Sequence, residues 1–169
     1  SYPIGCLTGI RTSLTATINE IPTITVTNPS PTCKGFSATL IASTSVGIIN
    51  WYENATGGTI IATGTNFTTP ILNENTTYYA EANNNGCHSI NRIPIKATIV
   101  SFPSINDETI TICKDKIVPL NAGIANYTYL WSTGATTQSI LSNGLLNYSV
   151  VITSPEGCIK TKNFTLIEN

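Results

Sequence analysis

Residues 86–103, GCHSINRIPIKATIVSFP, decide how this chain is read, because they occur twice. Residues 5–22, GCLTGIRTSLTATINEIP, align with them without a gap and are identical at seven of 18 positions. The shared residues are Gly, Cys, Arg, Ala, Thr, Ile and Pro, and Thr8/Ser89 and Leu14/Ile95 are close substitutes. Chance would give roughly one identity in such a window, so the chain carries an internal repeat, with an offset of 81 residues. In the earlier copy Leu14, Ala16 and Ile18 alternate with Ser13, Thr15, Thr17 and Asn19, the pattern of a half-buried strand.

A second correspondence lies between the copies and beyond them. Cys33 is followed 18 residues later by Trp51, and Cys113 is followed 18 residues later by Trp131. Each stretch closes with a Gly-Cys pair, Gly86-Cys87 and Gly157-Cys158, and a final strand. Pro22 and Pro103 stand at the junctions. The expected organisation is therefore residues 1–22 as the C-terminal strand of a preceding, truncated repeat, 23–102 as a complete unit and 103–169 as a shorter unit on the same plan. On this phase Cys33 is expected to pair with Cys87 and Cys113 with Cys158. Cys6 is left unpaired.

Composition points the same way. A net charge of −1 and 10% charged residues provide no basic face for nucleic acid and no acidic tail. Thr, Ile, Val and Tyr favour strands, while Asn, Gly and Pro favour turns. No window carries a convincing helical apolar period. The apolar runs are too short to span a bilayer, so no membrane insertion is expected. Five cysteines in a weakly charged β-chain suggest an oxidising compartment. None of them forms a C-x-x-C pair, which argues against zinc.

Strands are expected near 23–27, 37–42, 46–53, 59–63, 76–82 and 93–100, then near 109–113, 117–120, 127–132, 137–141, 147–153 and 159–167. Turn-formers such as Thr56-Gly57-Gly58 and Pro155-Glu156-Gly157 lie between them. Six or seven short strands with a Trp between two cysteines is the pattern of an immunoglobulin-like sandwich, so the fold class is all-β, tandem immunoglobulin-like β-sandwiches. Trp51 and Trp131 are the expected core aromatics, with Tyr127 and Tyr129 on the same face as Trp131. Cys33 precedes its strand, and Cys87 and Cys158 follow turns. A bridge is therefore expected near one end of a sandwich rather than against the indole.

The motifs C-x-G at 33–35, Trp51-Tyr52, Gly57-Gly58, T-T-Y-Y at 76–79 and G-C-x-S-x-x-R at 86–92 resemble the Ig-like repeats of large secreted surface proteins of Bacteroidetes. YLWSTGATTQSI and YSVVITSPEGCIKTKNFTLIEN are similar to the PKD-like or Ig-like module found before the sorting domain of type 9 secretion substrates, gliding-motility-associated proteins among them. The resemblance implies a secreted, bacterial cell-surface location and an adhesin-like parent protein.

Candidate chemistry is sparse. Asp107 and Asp115 are the only aspartates, and Glu53, Glu74 and Glu81 are scattered among turns and strand ends, which does not suggest a carboxylate pair for hydrolysis. His88 beside Cys87 could suggest a nucleophilic pair, but the repeat places Leu7 and Ile159 at that position, which favours a turn residue. Calcium would need several carboxylates that the loops lack. Six Asn-x-Ser/Thr sequons follow from an Asn- and Thr-rich composition. Arg11 and Arg92 occupy equivalent positions and read as a structural clamp on a loop or carboxyl group. Tyr52, Tyr78 and Tyr79 could stack on sugars, alternation leaving Tyr52 and one of the other two outward.

The expected function is thus a non-enzymatic structural or adhesive stalk segment that needs no cofactor. Its partners are neighbouring Ig-like repeats, with surface glycans or other cell-surface proteins beyond them. The competing expectation is a carbohydrate-binding accessory module of a secreted polysaccharide-degrading enzyme. Association through an exposed strand edge is a third.

Overall fold

The computed structural model describes residues 13–169. Cys6, Arg11 and the first part of the 1–22 stretch lie outside the described residues. The described residues form sixteen strands and no helix, so none is long and apolar enough to cross a membrane.

The first unit holds β1 (Ile24–Thr27), β2 (Thr32–Cys33), β3 (Thr39–Thr44), β4 (Ile48–Tyr52), β5 (Ala62–Thr63) and β6 (Asn66–Thr68). It continues with β7 (Thr76–Asn84), β8 (Cys87–His88), β9 (Ile93–Ala97) and β10 (Ile99–Val100). One sheet has the order β1-β3-β6; the other runs β5-β4-β7, with β8 and β9 both on β7. Pro29 and Pro31 separate β1 from β2. Across them the chain leaves β3 and pairs in parallel with β10, Val100 opposite Cys33.

Period-two alternation makes the two sheets into a sandwich. In β3, Leu40 and Ala42 point inward while Thr39 and Ile41 are exposed. They meet Ile49 and Trp51 of β4, Tyr78 and Ala80 of β7, and Ile95 and Ala97 of β9 in one cluster. Trp51 is fully buried, and its Nε1 donates to the Gly64 carbonyl at 2.8 Å. Phe67 stands between Trp51 and Tyr78, with ring centroids 5.5 and 5.1 Å away.

The second unit holds β11 (Glu108–Ile112), β12 (Pro119–Asn121), β13 (Thr128–Trp131), β14 (Ser139–Leu141), β15 (Asn147–Thr153) and β16 (Ile159–Glu168). Its sheets have the orders β11-β16-β15-β13 and β12-β14, with β11 and β16 parallel. Tyr148, Val150 and Ile152 of β15 and Phe164 and Leu166 of β16 fill the core around Trp131, with Tyr127 and Tyr129 packed at its margin. Trp131 repeats the polar handle of Trp51: its Nε1 donates to the Thr137 carbonyl at 2.8 Å. The Tyr148 hydroxyl receives the Asn143 amide at 2.7 Å and the Leu145 amide at 3.3 Å, and donates to Asn143 Oδ1 at 2.8 Å. This tyrosine corner pins the loop before β15.

Residues 13–22 depart from the expected strand. No strand is assigned there, and Leu14 and Ile18 are 95% and 93% exposed. Alternation specifies a face, but a strand also needs a sheet edge to pair with. No described strand pairs with this segment. Its last residues are held instead by the β7–β8 turn, where Asn84 Nδ2 donates to the Glu20 carbonyl at 3.0 Å.

Candidate functional site

The place where most of the unusual chemistry converges is the junction between the two units. β10 and β2 run in parallel there, tied by Thr32 N to Thr98 O and Lys34 N to Val100 O, each at 2.9 Å. Cys33 ends that ladder and opens a turn, with Phe36 N donating to its carbonyl at 3.2 Å. From the second unit comes the β15–β16 hairpin. Ser154 N donates to the Cys158 carbonyl at 2.8 Å, and Cys158 N donates to Ser154 Oγ at 3.1 Å. Cys33 and Cys158 form a disulfide with a Cα–Cα distance of 5.6 Å across 125 residues of sequence.

The connecting segment is packed as well. Phe102 lies 5.3 Å from the Tyr127 ring, and Phe102 and Ile105 both pack on the second core. Asp107 accepts from Asn163 N at 2.8 Å and from Asn163 Nδ2 at 3.2 Å. Those hydrogen bonds hold its carboxyl below the usual carboxylate range, the backbone one contributing most. Lys162 is buried, with Nζ 2.6 Å from Glu108 Oε1 and 3.0 Å from the Asn121 carbonyl. An open cleft of about 730 Å³ flanks the bridge, walled by Pro31, Phe36, Val100, Phe102 and Ile159. The connection combines a covalent tie with a linker packed on the second core.

The bridge overturns the expected pairings Cys33–Cys87 and Cys113–Cys158. Cys87 and Cys113 carry no disulfide among the described residues. The reason is strand length. Cys33 lies beside Val100, beyond the Thr76 end of β7, whereas Cys87 is registered with Asn84 at the other end. Nine residues at roughly 3.3 Å each put those ends about 26 Å apart, against the ~7 Å limit between bridged Cα atoms. In the second unit Cys158 precedes β16, while Cys113 follows Ile112, which is registered with Glu168 at its far end. Ten residues separate those positions by about 30 Å. The signal was present in the sequence: Gly-Cys follows a turn late in each unit, and the other cysteine lies at the end of an early strand. Where that early strand runs parallel to the last one, as β2 does to β10 and β11 to β16, those positions fall at opposite ends.

The aromatic expectations divide. Trp51 and Trp131 are core residues. Tyr52, Tyr78 and Tyr79 do not form an exposed platform: Tyr52 and Tyr78 are 5% and 4% exposed, and Tyr79 is half-buried. Tyr52 does point to the outer face of its sheet, opposite Tyr79. There the Arg92 guanidinium covers it, 3.3 Å from the ring centroid. Burial, and then Glu81, push the Tyr52 hydroxyl above its ordinary pKa, and burial does the same for Tyr78. Arg92 acts as the clamp its repetition suggested. Nη1 donates to the Asn54 carbonyl at 2.8 Å and the Gly57 carbonyl at 2.6 Å, and Nε lies 3.8 Å from Glu81 Oε2. His88 Nδ1 sits 3.2 Å from Glu81 Oε1, which gives the histidine a partner other than Cys87. Among the described residues no three His, Cys, Asp or Glu side chains converge as a metal site.

Residues 20–100 match the family described as Ig-like domain, CHU_C associated. The match supports an Ig-like domain of that type in the first unit. No curated protein matches the chain. Among solved structures, the two-domain fragment of DIP-gamma is 10% identical, over 89% of this chain and 99% of that one, with a TM-score of 0.42. The insect immune protein hemolin is 16% identical over 93% of this chain and 49% of its own, with a TM-score of 0.45. The titin Z1Z2 domains, solved with telethonin, are 14% identical over 92% and 98%, with a TM-score of 0.32.

Proposed function

We propose that this chain is a stiff, distance-holding segment of a tandem Ig-like stalk in a secreted bacterial surface protein, adhesin-like and exported by the type 9 route, with the second unit a PKD-like module. The observation that carries the reading is the Cys33–Cys158 bridge, because it ties two units together instead of reinforcing one. Adjacent domains with a small polar contact move relative to one another by default. Here the covalent tie and the packing of the linker's Phe102 on Tyr127 oppose that motion. Such a segment transmits position and force along a stalk, and its disulfide points to an oxidising, extracellular setting. Neighbouring repeats are its first partners; the parent protein's adhesive ligand need not bind this segment.

The burial of Tyr52 and Tyr78 favours the stalk reading over the glycan-module alternative. The stalk reading is tested by small-angle scattering of the oxidised chain and of its Cys33→Ser variant. A narrow, elongated distance distribution that broadens in the variant supports it. Superimposable curves would mean that the bridge does not limit bending. The parent reading frame provides a separate check: further Ig-like units and a type 9 sorting domain are expected.

A further inference from the structure

The two unbridged cysteines occupy the same places in their units as the two bridged ones. Cys113 directly follows β11 and Cys33 ends β2, each a strand parallel to the last strand of its unit. Both open the same turn: Phe36 N donates to Cys33 O at 3.2 Å and Lys116 N to Cys113 O at 3.0 Å. Gly35 and Asp115, two residues on, have φ of 86° and 59°. Cys87, like Cys158, follows a positive-φ glycine in the hairpin that opens the last strand, with φ 91° at Gly86 and 86° at Gly157.

The surroundings of Cys87 carry the comparison further. Its Sγ lies 3.7 Å from the Asn19 carbonyl. Asn19 stands 81 residues before Val100, which is the repeat offset, and Val100 is the residue registered with Cys33 beside the formed bridge. A strand paired with Asn19 as β2 is paired with Val100 would bring its cysteine next to Cys87. Cys87 and Cys113 cannot serve each other within one chain. They lie about 26 and 30 Å from the junction, in opposite units and at the ends remote from it.

We infer that Cys87 and Cys113 are the open halves of inter-repeat staples. Cys87 takes the cysteine equivalent to Cys33 from the Ig-like repeat before it, and Cys113 takes the Gly-Cys hairpin cysteine of the repeat after it. Every disulfide of the array then joins neighbours, and none closes a single repeat. The inference rests on the tandem-stalk reading. Chemically, two thiols lose two protons and two electrons to form each S–S bond. A disulfide-bearing oxidoreductase or small disulfide accepts them and leaves as the dithiol or thiols. Cys6 aligns in sequence with Cys87, so on this inference its partner would belong one repeat further back.

The test uses the full chain with a second copy of residues 101–169 joined after Asn169, oxidised in a glutathione buffer and digested without reduction. Tethering raises the effective concentration of the new hairpin to the millimolar range. Mass spectrometry is expected to find Cys33–Cys158 together with Cys113 linked to the appended copy's Cys158. Alkylation of Cys113 should fall at least about tenfold relative to the unextended chain. A Cys113 that alkylates fully while Cys33–Cys158 has formed overturns the inference and leaves the stalk reading standing. Loss of Cys33–Cys158 itself overturns both. If the extended chain does not fold, the unextended one decides: alkylation without reduction should mark Cys87 and Cys113 and spare Cys33 and Cys158. A Cys6–Cys87 link there overturns the inference.

Discussion

Replacing Cys33 and Cys158 together by alanine removes a loop closure spanning 125 residues. In the chain-entropy treatment a loop of that length destabilises the unfolded ensemble by about 5 kcal/mol. If only the first unit unfolds, the relevant loop is its own length and the figure falls to about 4 kcal/mol. For a domain pair of this size 1 kcal/mol moves the melting midpoint by roughly 2–4 °C, so the double variant should melt about 10–20 °C lower. Scanning calorimetry without reductant reads the shift directly. The two single variants sharpen the test, because a bond is lost completely when either partner goes. Cys33→Ala, Cys158→Ala and the double change should therefore lose nearly the same stability. Single-variant losses that add up in the double variant would refute the reasoning, since independent packing defects and not one bond would then be at work. A midpoint within about 3 °C of the parent would refute the magnitude.

Three further outcomes follow from named contacts. Arg92→Lys should cost about 1–2 kcal/mol in urea titration, because an ammonium cannot both lie flat on Tyr52 and hold the Asn54 and Gly57 carbonyls. Tyr148→Phe should cost about 1–3 kcal/mol by stripping the Asn143 and Leu145 amides of their acceptor. Asp107 has a folded pKa below its ordinary 3.8, so its stabilisation is present above that value and lost as pH falls through the depressed one. The stability gap between the parent and Asp107→Asn should accordingly be constant near neutrality and close below about pH 3.8.

Much of the sandwich was legible because alternation and turn chemistry are local. All twelve expected strands of the two units overlap observed ones, and the two Cys-to-Trp spacings located both buried indoles. The strands that escaped, β2, β6 and β8, are three residues or shorter, too brief for any period to show. Tyr52 was correctly placed on the outer face, but outward is not the same as exposed. Its cover comes from Arg92, 40 positions away in sequence. The Leu14-Ala16-Ile18 alternation was real, yet a pattern does not form a strand without an edge to join. The cysteines misled for a topological reason: sequence order within a repeat suggested closure of that repeat. Parallel pairing of β2 with β10 and of β11 with β16 places those cysteines at opposite ends, next to different neighbours.

The central claim is that the disulfide joins the units and does not close either one. Digestion of the oxidised 169-residue chain without reduction, followed by mass spectrometry of the linked peptides, measures this most directly. The account predicts a peptide containing Cys33 joined to one containing Cys158. Recovery of Cys33 joined to Cys87, and Cys113 to Cys158, would contradict it.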